Sequence, residues 1–94
     1  MKTILIDWSV IRDRDDFYDS VLPQTGAPSW HGHNLDAIND SWVTGDICSD
    51  GPPFRFVIRG IRDVSPDMEG LRDAVSELAR ESVKVNGGLI CRED

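Results

Sequence analysis

The run Phe54-Arg55-Phe56-Val57-Ile58-Arg59-Gly60 is followed at once by Ile61-Arg62-Asp63-Val64 and then by Ser65-Pro66-Asp67. The segment from Phe54 to Arg59 reads as a β-strand. Gly60 releases the chain, and residues 61–64 read as a turn of helix. Ser65-Pro66-Asp67 is a helix start, with an N-cap serine, a proline at the first helical position and acids in the first turn. The helix that follows buries Leu71, Ala74, Val75, Leu78 and Ser82 along one side. Gly70 within it costs about 1 kcal/mol relative to alanine. Val83-Lys84-Val85 reads as a further strand, interrupted by Asn86-Gly87-Gly88. The interruption is either a bulge or a tight hairpin into Leu89-Ile90-Cys91, and both readings stay open.

Upstream, Thr3-Ile4-Leu5-Ile6 is a short, continuously apolar, β-branched run, which predicts a strand covered on both faces. Asp13 offers an N-cap, with Asp16 at capping-box spacing. Phe17, Val21 and Leu22 form the stripe of a helix that Pro23 is expected to end. Tyr18 either closes that stripe or lies at the surface. Strands separated by helices imply βαβ crossovers, so the expected class is α/β with a small parallel sheet in a single domain spanning 1–94.

Between the first helix and the Phe54 strand, Gln24-Thr25-Gly26-Ala27-Pro28 is a turn. It leads into Pro28-Ser29-Trp30-His31-Gly32-His33-Asn34-Leu35-Asp36-Ala37-Ile38-Asn39-Asp40-Ser41-Trp42-Val43-Thr44-Gly45. The loop turns at Gly32 between two histidines, and Asn34 can cap a short helix through its side-chain oxygen. Leu35, Ile38 and Trp42 follow at helical spacing and point inward, leaving Asp36, Asn39 and Asp40 on the wet face. Two carboxylates at i and i+4 repel by about 0.2–0.5 kcal/mol. The helix start eases that for Asp36, whereas Asp40 gains little. The plain reading is a solvated acidic face. The sharper one is an anionic plug, with Trp30 and the Gly32 loop beside it, aimed at something basic. Residues 46–53, rich in glycine and proline, read as a loop.

The chain has 94 residues, 39% hydrophobic and 29% charged, enough for one modest core. Ten basic against 17 acidic side chains give a net charge of -7. That balance speaks against direct binding of nucleic acid or an anionic membrane, which need a basic face. It suits a basic protein partner, steered by opposite charge. Cys48 and Cys91 are too few for a disulfide framework and are expected as free thiols in a reducing compartment. The segment from Met1 to Trp8 has an apolar run only from Ile4 to Ile6, which is neither a signal peptide nor a membrane span. The expected location is the cytoplasm.

Catalysis has little to stand on. Asp36 and Asp40 with His31 and His33 have the donor types for a divalent metal. No further ligand cluster accompanies them, no phosphate-cradling glycine loop follows either early strand, and Gly87-Gly88 comes too late to open a helix. No serine or cysteine sits in a nucleophile elbow. No enzyme, metal or cofactor is expected.

The string from Trp30 to Gly45, with its aromatic before Gly32, Asn34-Leu35-Asp36-Ala37, Asp40 and Thr44-Gly45, resembles the signature of barstar-like ribonuclease inhibitors. The resemblance is dense over that segment and looser elsewhere. It implies three parallel strands packed against three or four helices. It also implies a loop and helix that plug the catalytic cleft of a secreted ribonuclease. Carried over residue by residue, Asp40 falls on the family's dominant acidic contact and Asp36 on the second. Trp30 takes the place of a contacting aromatic, Gly32, Asn34 and Leu35 match the loop and helix start, and Thr44 and Gly45 match the end of the segment. Aligning the late helix places Glu77 on a further acidic contact. His31 stands where the family often has a second aromatic, His33 where an acid or other polar residue is common, and Asn39 where tryptophan is frequent. Both histidines can add hydrogen bonds whose strength varies with pH near neutrality. The resemblance thus implies an immunity protein that binds a cognate basic nuclease toxin, as a monomer forming a 1:1 heterodimer. The alternative is the same fold used as an interaction module without inhibitory role.

Overall fold

The structure, a computed structural model, describes residues 2–25, 34–44 and 53–93. Strand β1 (Lys2–Asp7) leads to helix α1 (Arg14–Thr25), the short helix α2 (Leu35–Asn39) and a π-helical turn (Asp40–Thr44). Strand β2 (Phe54–Arg59) follows, then 3-10 turns at Ile61–Asp63 and Pro66–Met68, helix α3 (Glu69–Asn86) and strand β3 (Gly88–Glu93). The sheet is parallel throughout, in the order β1-β2-β3, with Ile4 beside Phe56 and Phe56 beside Ile90. The architecture is therefore the α/β one expected, with three parallel strands and three α-helices among the described residues.

Parallel crossovers are right-handed, and successive crossovers stepping in one direction put their helices on the same face. Burial alternates accordingly. Ile4, Ile6, Phe54, Phe56 and Ile58 are buried, whereas Thr3, Arg55 and Arg59 are exposed and Leu5 is 37% exposed. The expectation that β1 is covered on both faces is thus corrected. Its unbroken apolar run reads as two buried faces, yet the strand order supplies helices for only one. On the covered side Trp8 stacks on Phe17 and Trp42 packs on Phe56, within one core that takes in Val21, Leu71 and Val75.

Asp13 caps α1 as expected, its Oδ1 accepting the Asp16 N–H at 2.8 Å. Asp16 reaches back to accept the backbone N–H and Nε of Arg12, which hold its carboxyl below the ordinary carboxylate range. Tyr18 proves buried, and burial raises its phenol pKa. Pro23 does not end the helix, which runs on to Thr25. Proline removes the N–H that would meet the Asp19 carbonyl, while side chains of the last described turn donate to two other carbonyls. Gln24 Nε2 donates to the Ser20 carbonyl and Thr25 Oγ1 to the Leu22 carbonyl.

The helix start at Ser65 is also tighter than expected. A 3-10 turn precedes α3, and the Ser65 side chain makes no capping bond. Leu71, Val75 and Ser82 are buried, Ala74 and Leu78 are half-buried, and Ala79 joins the buried side. The larger correction concerns residues 83–91. Val83-Lys84-Val85 continues α3 rather than forming a strand, so neither a bulge nor a hairpin exists. Gly87 closes the helix by donating its N–H to the Val83 carbonyl, at φ 83°, a backbone conformation that side-chain-bearing residues rarely adopt. Gly88, at φ 108°, then starts β3 with its Cα against the Phe54 carbonyl, leaving no room for a Cβ. Gly88→Ala is expected to cost about 1–3 kcal/mol in a urea titration, from overpacking and an unfavourable φ.

Candidate functional site

The short helix α2 exists because its start is capped and its inner face is apolar. Asn34 lies in extended backbone and its Oδ1 accepts the Ala37 N–H at 2.8 Å, the bond expected of an N-cap. Ala37 and Ile38 are buried and Leu35 packs partly against the core. The opposite side carries Asp36 and Asp40, both exposed, with Asn39 half-buried between them. The Asp40 N–H donates to the carbonyls of both Ala37 and Asp36, so the two aspartates sit one helical turn apart. Both side chains leave the same face of the helix.

At Asp40 the helix widens into the π turn that ends at Thr44. Such turns are costly and need external support. Here the support comes from the core and from α3. Trp42 is fully buried, its ring centroid 4.8 Å from that of Phe56. Its carbonyl accepts the Ser82 hydroxyl at 2.7 Å, and Asn86 Nδ2 donates to the Val43 carbonyl at 2.8 Å. Carbonyls left free at a helix end are therefore satisfied by two side chains of α3, which fix where the acidic face points.

Ser82 and Asn86 are positioning residues that the sequence reading did not assign to this segment. The sequence pattern puts Ser82 on the buried side of the late helix and Asn86 in an interrupted strand. The available signal was a hydroxyl on an apolar stripe, since a buried polar group needs a partner. Ser82→Ala removes the shorter of the two bonds to the Trp42 carbonyl and leaves the one from Asn86 Nδ2 at 3.3 Å. It is expected to cost about 0.5–1.5 kcal/mol of stability, read by denaturant titration.

Beside the acidic face lies a cleft of about 390 Å³, lined by Arg14, Asp15, Tyr18, Asn34, Leu35 and Asp36. Asn34, Leu35, Asp36, Asn39 and Asp40 are thus gathered on one segment, whose backbone Thr44 closes. Glu77 is not gathered with them. It is exposed, ion-paired with Arg80, and lines another cleft with Arg72 and Arg92. It stands nine residues before Asn86, which is half a turn away around the helix from the side that grips the π turn. Trp30, His31, Gly32, His33 and Gly45 lie outside the described residues, as does Cys48; Cys91 is a free thiol. Among the described residues, no three His, Cys, Asp or Glu side chains are grouped to hold a metal, and no helix is long and apolar enough to cross a membrane.

A search of curated proteins finds no match to the chain. The family model described as Barstar (barnase inhibitor) matches residues 1–87, which takes in the capped helix, the π turn and the helix that braces it. The parallel three-stranded sheet with its helices is consistent with this match, and the chain belongs to the barstar family of ribonuclease inhibitors.

Proposed function

We propose that this chain is an immunity protein of bacterial type, which neutralises a cognate secreted nuclease toxin by occupying its active site. The toxin of this reading is a ribonuclease, one inhibitor chain engages one toxin, and the encounter takes place in the producer's cytoplasm. The observation that carries the reading is the pair Asp36 and Asp40, exposed on successive turns of a helix whose other face is anchored in the core. A ribonuclease cleft is lined with cationic groups placed to hold phosphates, and carboxylates on a rigid support can take those positions. Asp40 is the principal contact and Asp36 the second. Trp30, His31, Gly32, His33, Asn34, Leu35, Asn39, Thr44 and Gly45 complete the surface, and Glu77 adds a peripheral one. The net charge of -7 favours a basic partner and speeds the encounter. The chain acts as an inhibitor and performs no catalytic step of its own.

The test is co-purification with the product of the adjacent gene, followed by a ribonuclease assay and a salt series on the association rate. Stoichiometric loss of ribonuclease activity is expected, with association slowing as salt rises. A complex that forms while the nuclease stays active would contradict the reading and favour a non-inhibitory interaction module.

A further inference from the structure

We propose that the outer edge of β3 pairs with the same edge of a second copy of this chain, antiparallel, about a two-fold axis at Ile90. This is a surface separate from the acidic helix, and β3 lies beyond the residues matched by the family model.

The direction of each backbone group follows from bonds already made. In a ladder, N–H and C=O of one residue point the same way, and the direction alternates along the strand. The Gln24 carboxamide takes the Leu5 N–H at 2.7 Å and the Leu5 carbonyl at 2.9 Å, so Leu5 faces away from β2. The Trp8 N–H donates to the Arg59 carbonyl, so Arg59, and with it Val57 and Arg55, faces β1. Phe54, Phe56 and Ile58 then face β3. The register turns Leu89, Cys91 and Glu93 toward β2 and leaves Gly88, Ile90 and Arg92 facing outward. Among the described residues no hydrogen bond reaches the outward N–H and C=O groups of these three. The two edges of the sheet are therefore unequal. Gln24 lies across the middle of the β1 edge like a rung, whereas among the described residues nothing crosses the β3 edge, which is a template for another strand.

A second copy fits that template. Centring the pair on Ile90 sets Gly88 opposite Arg92 and Leu89 opposite Cys91, and every outward backbone group finds a partner. On the helix side the two Ile90 side chains meet, and each Arg92 extends over a glycine. On the open side Leu89, 38% exposed, is covered by the apolar Cys91 of the second copy. No like charges stand opposite each other, as an isologous interface requires. Centring on Cys91 instead would set Ile90 against Arg92 and Leu89 against Glu93. The monomer expected from sequence is thus the low-concentration form. The net charge of -7 on each copy opposes pairing, so salt strengthens this contact while weakening the encounter with a basic toxin.

Sedimentation equilibrium of the full chain, from micromolar to millimolar and at low and high salt, tests this. The expected result is a mass that climbs from monomer to dimer with concentration, and sooner at high salt. Amide exchange at Ile90 and Arg92 slows in step, while Leu89 and Cys91, already bonded to β2, change little. Arg92→Pro removes an outward N–H and obstructs an incoming strand, yet leaves the bonds to β2 intact. It is expected to remain monomeric throughout, with its thermal melt close to the parent's. A parent that stays monomeric would overturn the proposal, and so would a dimer that survives Arg92→Pro. Concentration-dependent protection at α2 or β1 instead of β3 would overturn it equally, and that measurement needs only the parent chain.

Discussion

Asp40→Ala is expected to weaken binding to the cognate ribonuclease by about 2–5 kcal/mol, mostly through faster dissociation. That magnitude is typical of hydrogen-bonded charge pairs in protein interfaces, the barnase–barstar pair among them. At about 1.4 kcal/mol per factor of ten, the loss spans roughly thirty-fold to several thousand-fold in Kd. The physical basis is that the partner's cationic group would remain buried without its counter-charge once the carboxylate is gone. Asp40 is exposed and lies past the first turn of α2, where the helix dipole offers it little. Folding stability should therefore move by no more than about 0.5 kcal/mol, as for other surface substitutions. Asp36→Ala should cost less binding than Asp40→Ala and somewhat more stability, because Asp36 sits in the first helical turn. Surface plasmon resonance with urea titrations separates the two effects. Unchanged dissociation of Asp40→Ala would remove the basis for a principal acidic contact.

The second large effect belongs to Trp42. It is fully buried and packs on Phe56, and its carbonyl is the one that Ser82 holds. Trp42→Ala leaves a cavity that the sheet behind it cannot close, at an expected cost of about 3–5 kcal/mol of folding stability. A domain of this size has about 5–15 kcal/mol in hand, so the variant should be marginal at physiological temperature. The π turn rests on this side chain, and toxin binding should fall with it. Trp42→Phe offers a contrast. It keeps most of the aromatic packing and discards an indole N–H that is buried with no hydrogen-bond partner among the described residues. It is expected to cost far less than the alanine variant in the same denaturation experiment. Equal losses for the two would mean that packing against Phe56 is not what supports the segment.

The particular elements show where the sequence was informative. Asn34 with Leu35, Ile38 and Trp42 carries its own cap and its own stripe, so α2 and the outward placement of Asp36 and Asp40 were legible locally. So were Asp13 at the start of α1 and the strand from Phe54 to Arg59. The errors arise where a distant partner decides. Val83-Lys84-Val85 has strand-like residues, yet Ser82 and Asn86 on either side of it bond to the π turn, and helix is the conformation that serves both. Tertiary bonds override a short β-branched run. Pro23 lies inside the last described turn of α1, where Gln24 and Thr25 donate to the Ser20 and Leu22 carbonyls, and Gln24 also spans the edge of β1, nineteen residues away in sequence. The open face of the sheet follows from strand order, which a single apolar run such as Thr3–Ile6 does not encode. The widening at Asp40 has no sequence signature, because a π turn is fixed by what grips its carbonyls.

Amide chemical-shift mapping of the labelled chain bound to the cognate ribonuclease locates the surface that meets the enzyme. The largest perturbations are expected between Asn34 and Thr44, centred on Asp36 and Asp40, with the β3 edge and the open sheet face unchanged. A footprint on the open face around Leu5 and Val57, with α2 unperturbed, would contradict the account.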